Sequence, residues 1–296
     1  MKMSNLHGNT CYLETRNAGL GLYHLNDKDV ILLDTGLKET AEKELIPFFQ
    51  ENRFNLKGIL CTHFHYDHSG GIPSLKKVYK PEVVFHYTEN ILTESSYNMY
   101  WISYSQKFKS YDLTLPEYKY YADHVIGDDQ EVFSFFDQEF KILHTHGHSP
   151  YHISYITPDN VAYIGDTILG DKILDKTKLP YSFNIADDLK AKEMLRKIDC
   201  EKYILSHGGV YENIDTLIEK NIDNTLSKIE LLLDFLKEPL SFDGFIASIA
   251  REFNVSEDIS KIDYLQRCGR AYVAYFQDEK FVETIVKDHQ ICFRKV

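Results

Sequence analysis

The chain has 296 residues, 43% of them hydrophobic, and carries 33 Lys and Arg against 45 Asp and Glu, a formal charge of −12. That length buries one sizeable core with room for a smaller second unit, and the acidic balance disfavours a broad electrostatic footprint on nucleic acid or anionic lipid. Five cysteines, odd in number and never spaced C-x-x-C, suit a reducing cytoplasm, and no signal-like or membrane-length apolar run addresses the chain to export or a bilayer.

From the amino terminus, "CYLET", "GLGLYHL" and "DVILLDTG" are expected as short strands, with the turn "NDKD" between the last two. "KETAEKELIPFFQEN" has helical spacing, "LKGILCTH" is an aliphatic strand, and "SGGIPSLKKVY" opens a helix with Ser69 as its candidate cap. "EVFSFF", "EFKILHT", "HISYITP" and "NVAYIG" repeat the strand pattern, "DLKAKEMLRKI" is helical, and "KYILSHGG" is another strand-to-loop junction. Strands punctuated by helices favour a layered α/β domain.

The stretch "CTHFHYDHSGG", residues 61–71, falls where a buried strand is expected to end and a helix to begin. His63 and His65, two apart on extended backbone, project to the same side, and Asp67 and His68 follow as the chain turns. Two pairs of ligands can then serve two neighbouring metal ions. Imidazole with carboxylate suits zinc, iron or manganese, and no thiolate motif suggests a closed structural zinc site.

With this stretch the sequence resembles the metallo-β-lactamase superfamily across roughly residues 9–209, on five signatures in order: "LLDTG", "THFHYDHSGG", "THGHSPYH", "IGDTILG" and "LSHGG". The resemblance implies an αββα sandwich with its site at the loop ends along one edge. It also implies that His63, His65 and His148 bind one metal, that Asp67, His68 and His207 bind the other, and that Asp166 bridges them. His146 stands where the family usually has proline, so "H-G-H" offers two ligands; the Gly-His-Ser context favours His148 and leaves His146 as a neighbouring imidazole. Asp34 and His152 are expected to orient ligands by hydrogen bonding.

The full set resembles dinuclear hydrolases of the glyoxalase II-like branch, which implies two divalent ions, zinc first with iron or manganese as alternatives. A hydroxide between them would attack a small ester, thioester, lactone or phosphoester, with Asp67 orienting it or carrying a proton. The alternatives are a metal-dependent ribonuclease and an iron-dependent oxidoreductase acting on persulfides. Residues 87–121 hold ten aromatics, Trp101 among them, and are read as a pocket wall or lid, or as packing at a homodimer contact. Tyr181 and Asn184 are candidate substrate contacts on a second rim.

The expected division is a catalytic domain over residues 1–210, a connecting helix over 211–236, and a winged-helix-like unit over 237–296. That last unit holds nine Lys and Arg against ten Asp and Glu, too little positive charge for a nucleic-acid reader. A small-molecule substrate is the expected partner, with nucleic acid disfavoured, no membrane, and a second copy of the chain as a further candidate.

Overall fold

The computed structural model describes residues 1–95, 97–98 and 119–296. β1 (Lys2–His7), β2 (Thr10–Glu14), β3 (Gly19–His24) and β4 (Asp29–Leu33) form an antiparallel meander. β5 (Asn55–Leu60), β6 (Glu82–His86) and β7 (His124–Ile126) then add in parallel, giving seven strands in chain order among the described residues. A second sheet runs in the order β13 (Gly209–Tyr211), β12 (Lys202–Leu205), β11 (Val161–Tyr163), β10 (Ile153–Ile156), β9 (Gln138–His144), β8 (Val132–Phe135).

Alternation along the strands explains why these sheets stack. On β4, Ile31 and Leu33 join a core with Leu60, Val84, Phe140, Tyr155 and Tyr163, drawn from both sheets. Val30 and Leu32, pointing the other way, join Leu45, Phe49, Ile72 and Leu75 from the helices. On β11, Val161 and Tyr163 face the first core, while Ala162 meets Leu195, Leu217 and Ile218 on the far side. Both faces of each sheet are therefore covered, which is why β4 and β11 are apolar without interruption. The result is four layers, helix, sheet, sheet, helix, as the αββα expectation required.

Two helical expectations are refined. "KETAEKELIPFFQEN" forms α1 (Lys38–Thr40), a π-helical stretch (Ala41–Leu45) and α2 (Ile46–Asn52). Pro47 has no amide proton for the carbonyl four residues back, and the widened turn just before it accommodates that loss. Ser69 does not cap the helix after it. It ends α3 (Tyr66–Ser69), and α4 (Ile72–Val78) starts behind Gly71 with no side-chain cap. The Ser69 hydroxyl turns back to the carbonyls of Phe64 and His65, both at 2.9 Å.

Further along lie α5 (Tyr87–Thr93), α6 (Asp171–Leu174) and α7 (Ile185–Leu195). α8 (Asp215–Asp234) is the long amphipathic helix, followed by β14 (Leu240–Ser241), α9 (Phe242–Glu252), α10 (Ile259–Asp278), β15 (Val282–Lys287) and β16 (Gln290–Lys295). The β15–β16 hairpin turns on Asp288 and His289 at φ 50° and 61°, the left-handed pair that a two-residue turn between twisted strands needs. This tail packs against the body of the molecule. Leu179 and Ile185 share a core with Leu232, Phe245, Leu265 and Phe276, and the Tyr264 hydroxyl donates to the Leu179 carbonyl at 3.0 Å. Most of residues 87–121, Trp101 included, lie outside the described residues.

Candidate metal centre

The ligand stretch leaves the end of β5, inside the parallel part of the first sheet. Cys61 still donates its amide to Val84 and Asp34 to Leu60, so the strand is held until the residue before Thr62. Beyond that, α3 brings Asp67 and His68 round within its single turn.

Three ring nitrogens converge first. His63 Nε2 lies 2.9 Å from His65 Nδ1, which lies 3.0 Å from His148 Nε2. At the His63 end the tautomer follows from its neighbours. The Thr62 hydroxyl donates to Asp34 Oδ2 at 2.8 Å, so at 2.9 Å it accepts from His63 Nδ1, and the His63 lone pair is left on Nε2. Burial, then the neighbouring imidazoles, lowers the pKa of His63 well below its ordinary value; burial and His148 hold His65 down at about 3. Three neutral imidazoles cannot satisfy each other at that spacing, because at most one N–H can lie between any two lone pairs. A cation at their centre resolves the conflict.

A second group adjoins it. Asp67, His68, Asp166 and His207 each offer one ligand atom within 4.8 Å of the others. His68 Nδ1 donates to Asp34 Oδ2 at 2.8 Å, aiming Nε2 into the group; that nitrogen and Asp166 Oδ1 are buried with no hydrogen-bond partner. Asp166 Oδ2 lies 3.3 Å from His68 Nε2, 3.4 Å from His148 Nε2 and 3.7 Å from His207 Nε2, so one oxygen faces both groups. Asp67 Oδ2 is 3.3 Å from His207. Asp166 raises the pKa of His207 against burial, while in His68 the pull of Asp166 and Asp67 outweighs a larger burial penalty. A field that draws protons onto imidazoles also draws metal cations. Buried lone pairs without partners and two carboxylates fit divalent metal ions on both groups.

Around these groups lie further polar residues. Asp34, fully buried, accepts from the Thr62 amide and hydroxyl, from His68 and from the Tyr163 hydroxyl. His152 Nε2 accepts the amide of Asp166 at 3.2 Å and its Nδ1 donates to Thr145 at 2.8 Å. Gly165 makes this approach feasible, because a Cβ there would lie 2.5 Å from His152 Nε2. His146, by contrast, is not brought to the ligands: its ring sits 4.9 Å from Tyr151, among His86 and His144. Gly147 at φ 128° turns the chain between the two histidines, so they face opposite ways. Asn184 is also committed elsewhere, since its side chain accepts from the Asp187 amide and caps α7.

Tyr181 lies against the centre, its ring 5.6 Å from His65 and 5.7 Å from His148. Beside it opens a cavity of about 180 Å³ lined by His148, Asp166, Ile168, Tyr181, Lys192 and Tyr264. Lys192 and Asp188 form a buried ion pair on its wall, with Thr225 Oγ1 3.4 Å from the ammonium. Sequence reasoning passed over Glu89, Thr62, Tyr163 and this pair; the first three bond to residues 25 or more positions away, and the pair lies within one helix turn.

The family profile described as the metallo-beta-lactamase superfamily matches residues 20–207. A hydroxyacylglutathione hydrolase of Pelagibacter ubique is 28% identical over 71% of this chain and 81% of its own length. An atrochrysone carboxyl ACP thioesterase of Aspergillus fumigatus is 26% identical over 89% of this chain and 74% of its own. The chain spans only 58% of the length of another relative from that fungus, a lactamase-like protein 23% identical over 73% of this chain. Among solved structures, a beta-lactamase domain protein from Burkholderia ambifaria superposes with a TM-score of 0.69 at 14% identity, covering 99% of this chain and 93% of that one.

Proposed function

Because the chain belongs to the metallo-beta-lactamase superfamily, we propose that it is a metal-dependent hydrolase of a thioester whose acyl group is of modest size. The observation that carries this reading is the single Asp166 oxygen facing two adjoining groups of ligand atoms. His63, His65 and His148 would hold one divalent ion, and Asp67, His68 and His207 the other, with Asp166 facing both. Zinc suits this donor set first. Two such ions supply an activated water at neutral pH and polarise the scissile carbonyl.

The protein's own groups do the rest. Asp67 has a side chain 44% exposed, far more than the other ligand candidates, so it can exchange a proton between the reacting water and solvent. Tyr181 walls the approach to His65 and His148. The cavity beside it receives the acyl group against Ile168 and Tyr181, and the paired charges of Asp188 and Lys192 present that wall with no net charge. One relative is named a thioesterase and the other a hydroxyacylglutathione hydrolase, which favours this class over oxygen esters and phosphoesters. A polynucleotide is disfavoured by the near-neutral tail. The five free, buried cysteines suit a reducing cytoplasm.

The test is elemental analysis of protein purified without added metal, then a screen of thioesters, oxygen esters and phosphodiesters on the same sample. The expected result is up to two transition-metal ions per chain and thioester cleavage that a chelator abolishes. Preferential phosphodiester cleavage, or cleavage indifferent to chelation, would overturn it.

A further inference from the structure

His65 and His148, like Asp67 and His207, lack a side-chain support that the remaining ligand candidates have. His63 and His68 are oriented through Thr62 and Asp34, and Asp166 through His152. Among the described residues, neither the His65 nor the His148 ring has a hydrogen bond to a side chain outside the ligand groups. Their nitrogens nevertheless meet at 3.0 Å, so beyond ring packing against Tyr181 their spacing depends on how the two backbone turns are held.

Glu89 supplies that fixation from α5, which carries no ligand. It is fully buried. Its Oε2 accepts the amide of Phe64, the residue between His63 and His65, at 3.0 Å. Its Oε1 accepts the Tyr151 amide and the hydroxyl of Ser149, the residue after His148, both at 2.8 Å. One carboxylate thus ties together two turns lying 25 and 60 residues away in the chain. α5 is itself anchored, with Asn90 accepting the Ala122 amide at 2.9 Å and the Thr93 hydroxyl donating to the Tyr120 carbonyl at 3.1 Å. The choice of residue is chemically specific. Three donors converge on two oxygens, and a carboxyl group can accept at both, whereas the amide of a glutamine would turn an N–H against a donor. A side chain needed merely to fill the space would be apolar, because burying a carboxylate is costly.

We propose that Glu89 is a positioning residue for the three-histidine group, fastening the His63–His65 turn to the His148 turn so that their nitrogens stand at cation-binding spacing. This rests on the metal-centre reading above. It concerns metal affinity rather than contact with substrate.

The experiment measures zinc dissociation constants by competition with a chromophoric chelator, using the full chain and zinc alone as the probe. Glu89→Gln should weaken one of two zinc ions by about 10- to 100-fold, as loss of outer ligand support does elsewhere, and leave the other nearly unchanged. In a His207→Ala background, where the second group is crippled, Glu89→Gln should still weaken the remaining ion; in a His65→Ala background it should not. Ser149→Ala removes one of the three bonds and should shift the same ion in the same direction by less, which keeps the test decisive if Glu89→Gln fails to fold. Unchanged constants in both variants, or equal weakening of both ions, overturns the role of Glu89 alone. Wild-type protein that takes up no zinc removes the hydrolase reading with it.

Discussion

Asp34→Asn probes how far one carboxylate organises both ligand groups. Asp34 sits at φ 59°, a left-handed conformation that asparagine tolerates, so the substitution tests charge and acceptor number without adding backbone strain. In the native protein Oδ1 accepts the Thr62 amide at 2.8 Å, and Oδ2 accepts Thr62 Oγ1 at 2.8 Å, His68 Nδ1 at 2.8 Å and Tyr163 OH at 2.9 Å. An amide that keeps its oxygen among the three donors turns its NH2 against the Thr62 amide, and one buried donor left facing another costs about 1–3 kcal/mol. The three remaining bonds lose the assistance of the charge, on the order of 0.5–1 kcal/mol each. Together the loss is about 3–5 kcal/mol, against a total stability on the order of 5–15 kcal/mol for a folded domain. Urea unfolding of chelator-treated protein reads it directly: with a slope near 3 kcal/mol/M, the midpoint should fall by about 1 M or more. Zinc competition should also show both ions weakened, His68 directly and His63 through the Thr62 hydroxyl. A metal-free midpoint unmoved by the substitution, with both zinc affinities intact, would refute this account of Asp34.

Asp166→Asn keeps shape but removes the shared anionic oxygen, so hydrolysis should fall by orders of magnitude while circular dichroism stays native; steady-state rates at full activity would show that another carboxylate serves both groups. His68→Ala should cost one metal equivalent selectively, checked by elemental analysis after dialysis, and loss of both ions or of neither contradicts two distinct groups. Glu89 bears on pH: burial, opposed by its three hydrogen bonds, pushes its carboxyl from 4.5 up to about 7. The folded state therefore keeps this proton to higher pH than the unfolded chain, so the contribution of Glu89 to stability is full below 4.5 and is lost as pH rises through about 7, a difference of about 3 kcal/mol. Metal-free wild type minus Glu89→Gln should show that slope in denaturation midpoints, and parallel pH profiles would exclude it. Gly147→Ala would place a Cβ 2.2 Å from the Asp188 amide at φ 128°, costing about 3 kcal/mol or more; an unchanged melting temperature would mean that the His148 turn is not wedged against α7.

The layered fold was legible because its signal is local. β4 and β11 read as unbroken apolar runs since both faces are covered, and the glycine and aspartate turns mark their ends. That the ligand candidates would meet was equally legible, because residues 63–68 compress four donors into one strand-to-helix junction, and the resemblance added His148, Asp166 and His207. What sequence missed depends on contacts between distant segments. Glu89 in "YTEN" looks like any acidic residue in a first helical turn until Phe64 and Ser149 are found against it. His146 and His148 are indistinguishable by residue type, and only the left-handed Gly147 between them decides which ring enters the centre. Asn184 illustrates a simpler ambiguity: a polar side chain ahead of a helix is as good a cap as a substrate contact, and here its oxygen accepts the Asp187 amide.

The arrangement divides the labour between two kinds of buried charge. Asp34, Glu89 and, through His152, the Asp166 amide are enclosed in hydrogen bonds that fix ligand directions, and nothing about them refers to a substrate. Asp188 and Lys192 neutralise each other on the cavity wall instead, where Tyr264 from α10 completes the enclosure. Substitutions in the first set should therefore change metal affinity for every substrate alike, whereas changes at Ile168, Tyr181 or Tyr264 should alter which acyl group is accepted while leaving metal content untouched. Since the same ligand set can support many hydrolytic reactions, the proposed thioesterase reading puts substrate choice in that wall, to which the tail contributes Tyr264.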